Sequence, residues 1–172
     1  MSACIVAPPA EYEESTRTPP IFDLVRAKPF IGDIIVVDQD AGLESARKIQ
    51  FNVPVRSEDQ GEEIIGAVHI DYGSGQPRDT FTKSQQKLPA STLDDVSRVW
   101  DQNVTFFGGL EPGCHQVTLI ATHRSNWDDE RFRPIVGRAE YDTAIAMWWM
   151  IYNPNRPPTS PVTCPSGAEI ER

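Results

Sequence analysis

Alternation of apolar and polar residues, the pattern of half-buried β-strands, recurs through the middle of the chain. It is strictest at residues 48–55, where every second residue is apolar and faces away from the polar residues and proline between them. Residues 64–72 and 114–123 alternate in the same way, and the short apolar run at 34–37 predicts a further strand. The alternation therefore predicts a sheet protein with one buried face on most strands.

The segments between these strands predict less regular structure. Residues 73–90 are polar and predict a loop with a short strand at Phe81. The apolar residues within 91–101 recur at helical spacing, which predicts one or two helical turns there, and a strand should follow at 103–107.

The last strand should run from Asp142 to Tyr152. Its apolar residues do not alternate, which predicts burial on both faces, and the adjacent Trp148 and Trp149 must point to opposite sides of the sheet. One of the two indoles should therefore enter the core. Six or seven short strands separated by turns, with little helix, predict an all-β fold, a β-sandwich.

Proline marks both ends of the chain as tails rather than folded mass. Many of the 15 prolines cluster in residues 5–20, where glutamates accompany them, and in residues 153–172. Such segments bury too little apolar surface to fold, and they stay extended and solvated. We therefore predict a tether at 5–20, one domain at 21–152 and a Pro-rich C-terminal tail at 153–172.

The net charge of −9 restricts the partners of this domain. It opposes binding to nucleic-acid phosphates, and it would repel an anionic lipid surface, so any membrane attachment should be covalent. No apolar run in the sequence is long enough to cross a bilayer.

The first four residues, Met1-Ser2-Ala3-Cys4, offer such a covalent attachment. The small-small-Cys triplet resembles the end of a bacterial lipobox, where a signal peptidase cuts before the cysteine and a diacylglycerol is attached to its thiol. We predict that residues 1–4 are a lipobox remnant and that Cys4 is the lipidation site. The charged and apolar regions of a signal peptide do not precede it. Two explanations of this stay open. Either the start codon lies further upstream, or the chain has an ordinary cytosolic N-terminus that contains a cysteine.

Two segments carry a family resemblance. Pro112–Thr122 resembles the penultimate strand of Ig-like domains of the polycystic-kidney-disease (PKD) type, in which a Pro-Gly turn opens an alternating strand. Val68–Gly75 is similar to their middle strand, although Ser74 replaces the aspartate of its closing turn. The resemblance implies a single Ig-like sandwich of about seven strands across residues 21–152.

With its lipobox-like start, tether and Cys-containing tail, the whole chain resembles predicted lipoproteins of Gram-negative bacteria that have no assigned activity. The resemblance implies a location in the cell envelope, lipid-anchored to the outer membrane on its periplasmic face or at the cell surface. It implies no activity, because this fold supports many unrelated functions.

The same resemblance implies a disulfide bond between Cys114 and Cys164. In such a sandwich the last strand pairs antiparallel with the penultimate one, which brings Tyr152 beside Cys114, and Cys164 follows twelve residues later. Lipidation of Cys4 accounts for the third cysteine, and an exported location permits oxidation. Two free thiols in a cytosolic chain are the alternative.

The side chains that could support catalysis are scattered. His115 and His123 share a strand face but lie about 27 Å apart, too far to bind one metal, and His69 could approach only one of them. The sequence has no Gly-x-Ser-x-Gly nucleophile motif and no glycine-rich phosphate loop. We therefore predict that the protein is not an enzyme and that its histidines are single, structural residues.

Calcium is the cofactor that the sequence comes nearest to supporting. Asp38-x-Asp40-x-Gly42 resembles the start of an oxygen-ligand loop but lacks the remaining ligands of an EF-hand. Asp38 and Asp40 are therefore weak metal candidates, no cofactor is predicted, and the acidic turns are expected to be solvated surface.

Residues 124–141 predict a long loop, and long loops in compact domains are often functional. The loop carries Trp127, Arg131, Phe132 and Arg133, and Trp and Arg are enriched in interface hot spots. We predict that these four residues form an interaction surface. Alternatively, Trp127 pins the loop to the sandwich.

Together these features predict a non-catalytic envelope lipoprotein that is a binding or structural subunit of a membrane-associated or surface assembly. Its expected partners are other envelope proteins, and nucleic acid is not among them because of the negative charge. A calcium- or carbohydrate-binding adhesion module is the alternative, and an enzyme of unrecognised type is the third hypothesis.

Overall fold

The computed structural model describes residues 18–38, 48–72, 81–105, 110, 112–135, 142–153 and 164. This part of the chain contains strands, one 3₁₀ turn and no α-helix, so the all-β prediction is confirmed. The strands are β1 (Ile21–Phe22), β2 (Ile34–Asp38), β3 (Lys48–Arg56), β4 (Ile64–Ile70), β5 (Phe81–Leu88), β6 (Ser97–Thr105), β7 (Gly113–His123), β8 (Trp127–Asp128), β9 (Arg133–Pro134) and β10 (Thr143–Asn153).

The long strands form two sheets that pack face to face as a β-sandwich. One sheet has three strands in the order β1-β3-β6, and the other has five in the order β2-β10-β7-β4-β5. All neighbouring strands run antiparallel except β2, which runs parallel to β10. Seven strands have five or more residues, in keeping with the predicted number.

The core between the sheets is built from the inward faces of the alternating strands. Phe51 of β3 contacts Trp100 of β6 and Trp148 of β10 edge-on, with ring centroids 6.2 Å and 5.2 Å away. Trp148 is the indole that enters the core, and its Nε1 donates to Pro29 O at 3.1 Å. Each such aromatic contact stabilises the fold by about 0.5–1.5 kcal/mol, in addition to the stabilisation from burial of its apolar area.

Gly66 of β4 allows the two sheets to approach each other at Trp100. A Cβ at position 66 would lie 2.6 Å from the indole Nε1, well inside van der Waals contact. The strand needs glycine here because the indole is fully buried and has no room to move away.

The helical turns expected within residues 91–101 are absent, and β6 begins at Ser97 instead. Leu93, which the helical face would bury, is 81% exposed, whereas Trp100 is fully buried. Residues 97–105 pair along the whole of β3. The helix prediction was wrong because pairing with β3 places alternate side chains, not helically spaced ones, in the core.

Two further strands differ from their predictions. β5 spans Phe81–Leu88, although its polar composition predicts only a short strand, because an edge strand tolerates polar side chains. In β10, burial on both faces was predicted, but Ile145 and Met147 are 51% and 52% exposed on the outer face. Both faces of β10 are buried only over residues 150–152.

Cys114 and Cys164 form the disulfide bond that the resemblance implies, with Cα atoms 5.5 Å apart. The bond holds residue 164 beside the start of β7, where Ile151 of β10 lies opposite Cys114. Cys4, most of the tether and nearly all of the C-terminal tail lie outside the described residues. No helix in the described part is long and apolar enough to cross a membrane.

Candidate functional site

We call residues 124–135, which follow β7 directly, the contact hairpin. A 3₁₀ turn at Arg124–Asn126 leads into β8, and β8 pairs antiparallel with β9, with Trp127 opposite Pro134. The segment predicted as a long loop is therefore regular structure through most of residues 124–135, and residues 136–141 lie outside the described part.

Trp127 attaches the contact hairpin to the sandwich. Its side chain is 4% exposed and packs with Ile65 and Ala67 on the outer face of the five-stranded sheet. Trp127 therefore pins the hairpin, as the alternative interpretation had it, and does not offer its own face to a partner. Arg133, another of the four predicted surface residues, lies in β9 and is partly buried.

Phe132 and Arg131 form the exposed tip of the contact hairpin. Phe132 is 46% exposed and has a φ of +52°, in the left-handed region that large side chains rarely adopt. The Asp128 carboxylate accepts the N–H groups of Glu130 and Arg131 at 3.0 Å and 3.1 Å, which closes the turn. The left-handed conformation costs about 1–2 kcal/mol, and such strain clusters at ligand-binding positions.

A buried hydrogen-bond network lies at the base of the contact hairpin. His123, the last residue of β7, contacts Asp142 Oδ1 through Nδ1 and Ser57 Oγ through Nε2, the latter at 2.8 Å. These three residues, which we call the His123 network, are between 0% and 4% exposed. They join the turn after β3, the end of β7 and the start of β10. Sequence reasoning missed the network because its members are 66 and 19 positions apart in the chain.

The order of contacts in the His123 network, Ser–His–Asp, is that of the catalytic triad of serine hydrolases. A catalytic serine must reach a substrate carbonyl, but Ser57 is buried and its Oγ accepts the N–H of Asp59 at 3.2 Å. The network gives each ring nitrogen of the buried imidazole a hydrogen-bond partner, and buried polar atoms need such partners because they are removed from water. We therefore assign the network a structural role.

Further hydrogen bonds fix the contact hairpin at both of its ends. Asn126 Nδ2 donates to Thr122 Oγ1 at 3.0 Å, and Asn126 O accepts the N–H of Ile135 at 2.9 Å. The N–H of Arg124 donates to Glu63 O at 2.8 Å. A surface that is already fixed loses little conformational entropy on binding, which favours affinity.

The remaining histidines are separate from the His123 network. His115 Nδ1 lies 2.7 Å from Asp71 Oδ2, and neither ring nitrogen of the buried His69 has a hydrogen-bond partner among the described residues. Within the described ranges, no group of three or more His, Cys, Asp or Glu side chains could hold a metal ion. The side chain of Asp38 and the whole of Asp40 lie outside those ranges.

The fold and the site define a disulfide-bonded β-sandwich domain with a fixed, partly apolar hairpin at one end. Comparison with protein-family models and with curated proteins finds nothing that matches the chain.

Proposed function

We propose that this chain is a non-catalytic lipoprotein of the bacterial cell envelope. Its β-sandwich is held on the outer membrane by a lipid on Cys4, and it binds another envelope protein through the contact hairpin. The observation that carries the proposal is Phe132, an aromatic side chain exposed in the left-handed conformation on a hairpin that is fixed at both ends.

The cysteines support the envelope location. Disulfides persist in oxidising compartments such as the periplasm and the cell surface, and the structure uses Cys114 and Cys164 for one. That pairing leaves Cys4 as the single cysteine outside the disulfide, in a triplet that resembles a lipobox. The Pro- and Glu-containing residues 5–20 suit a tether between the lipid and the domain.

Arg131 supports the choice of a protein partner. Its side chain is 64% exposed, and its Nε is 3.8 Å from Asp128 Oδ2, which is too long for a hydrogen bond. The guanidinium is ion-paired with Asp128 but not hydrogen-bonded to it, so it can donate to a carboxylate of the partner, and Phe132 is the next residue along the chain. An exposed aromatic beside an arginine is the composition of an interface hot spot. We infer that the partner presents an apolar pocket with one carboxylate placed to pair with Arg131.

Photo-crosslinking from the hairpin tip tests this proposal. With p-benzoylphenylalanine in place of Phe132, ultraviolet irradiation of cells that make the protein should give one defined adduct with an envelope protein. Adding Arg131→Ala should lower the adduct yield about tenfold or more, because truncating a hot-spot residue costs about 2 kcal/mol.

The control is the same photo-reactive residue at Met147, an apolar side chain that is 52% exposed on the outer face of β10. This position should not give the adduct. Equal adduct formation from positions 132 and 147, or a yield that Arg131→Ala leaves unchanged, would contradict the hairpin as the contact surface.

A further inference from the structure

The N-terminal segment leaves the sandwich at the end that carries the contact hairpin. The backbone N–H and the hydroxyl of Thr18 donate to the two carboxylate oxygens of Asp59 at 3.1 Å and 3.3 Å. β1 then pairs with the last residues of β3, with Ile21 opposite Arg56. Asp59 Oδ2 also lies 3.8 Å from Nε2 of His123, the residue that immediately precedes the hairpin.

The disulfide lies at the opposite end of the sandwich. Cys114 is at the start of β7 and His123 is at its end. The two residues are nine positions apart along an extended strand, a distance of about 30 Å. The tether and the C-terminal tail are therefore attached at opposite ends of the domain, and the hairpin shares its end with the tether.

From this placement we propose that the contact hairpin faces the membrane to which Cys4 attaches the chain, and that its partner is a protein held at that same membrane surface. This inference rests on the proposed lipidation of Cys4. Cys4 and Thr18 are fourteen positions apart in the chain, a length that spans at most about 50 Å. Because the tether joins the domain at the hairpin end, that end is on average closer to the anchored lipid than the disulfide end.

Charge favours a protein over the lipid itself as the occupant of the hairpin. Asp128, Asp129 and Glu130 accompany Arg131 at the tip, and the whole chain carries a net charge of −9. Anionic headgroups would repel these carboxylates, and juxtamembrane segments that bind lipid are instead rich in Lys and Arg. A protein pocket for Phe132 that also offers a carboxylate to Arg131 fits the tip better.

Energy transfer on vesicles tests the orientation. A maleimide phospholipid is coupled to Cys4, whose thiol is the one outside the disulfide, and the protein is bound to phosphatidylcholine vesicles that carry a rhodamine headgroup acceptor. A donor dye is placed through a non-natural residue at Glu130 or at Pro112, which are exposed positions near the two ends of the domain. Transfer from position 130 should be about twofold or more above transfer from position 112, because about 30 Å separates the two ends.

Equal transfer from the two positions, or higher transfer from position 112, would overturn the orientation. Flotation of both labelled proteins with the vesicles shows that each is bound, so a difference in transfer reports height above the membrane. Because the lipid is attached chemically, this outcome does not depend on whether cells lipidate Cys4. The partner is tested by the adduct from position 132: a lipoprotein or integral membrane protein supports the inference, and a freely soluble protein overturns it.

Discussion

Replacing both Cys114 and Cys164 with serine should lower the free energy of unfolding by about 4 kcal/mol. The bond joins residues 50 positions apart, and in the chain-entropy model a closed loop of that length removes about this much free energy from the unfolded state. The change should be visible in urea denaturation followed by tryptophan fluorescence, because Trp100 and Trp148 are buried in the core.

Cys4→Ser is the matched control, because Cys4 lies outside the disulfide and its loss should leave the unfolding free energy unchanged. Addition of a reductant to the parent protein should reproduce the effect of the double substitution. A loss below about 1 kcal/mol in the double variant would show that the disulfide contributes little, against the chain-entropy expectation. Since the contact hairpin lies at the other end of β7, the adduct from position 132 should persist wherever the variant is folded.

The protein should also lose about 3 kcal/mol of stability through His69 as the pH falls from 6.5 to 4. Burial lowers the pKa of His69 from 6.5 to about 4, and neither ring nitrogen has a hydrogen-bond partner in the part of the chain that the structure describes. The imidazole of His69 therefore becomes protonated below pH 6.5 in the unfolded chain, but only at about pH 4 in the folded chain. The stability that the protein keeps while His69 is neutral is fully present above pH 6.5, declines between pH 6.5 and pH 4, and is lost below pH 4.

His69→Leu tests this origin of the acid sensitivity, because leucine fills similar space and does not titrate. The difference in unfolding free energy between pH 7 and pH 4 should be about 3 kcal/mol smaller in this variant than in the parent protein. His115→Gln is the control, since it removes another histidine and leaves His69 in place. An unchanged acid response in His69→Leu would contradict the assignment to His69.

The predicted strands were right where apolar residues alternate along the chain. The alternation of residues 48–55 and 114–123 predicted β3 and β7, although β7 is buried on both faces over residues 117–123. The start of β6 was predicted as helix because its apolar residues fit a helical period as well as an alternating one, whereas its last residues, 103–105, lie in the strand predicted at 103–107. The contact of Trp100 with Phe51 resolves the ambiguity, and it joins two strands that are distant in sequence.

Burial of the outer face of the five-stranded sheet could be predicted only in part, because it also depends on contacts between segments that are distant in sequence. The apolar residues of β10 indicated burial on both faces, yet nothing in their own sequence says whether another segment covers the outer one. Trp127 covers Ile65 and Ala67, whereas Ile145 and Met147 stay half exposed. Burial on this face depends on where the hairpin after β7 folds back.

The sequence indicated which segment carries the candidate site, but not which of its side chains are exposed. Trp and Arg in residues 124–141 pointed to a contact role, but the pairing of β8 with β9 turns Trp127 inward and leaves Phe132 outside. The His123 network left no sequence signal at all, since Ser57, His123 and Asp142 belong to different strand ends. Tertiary structure alone brings them together to support the hairpin.

The most direct test of the proposed function is the mass of the N-terminal peptide of the protein isolated from the cells that make it. We expect a peptide that begins at Cys4, with a diacylglycerol on the cysteine sulfur, recovered from the outer-membrane fraction. A peptide that extends upstream of Cys4 and carries an unmodified Cys4 thiol, isolated with Cys114 and Cys164 reduced, would contradict it.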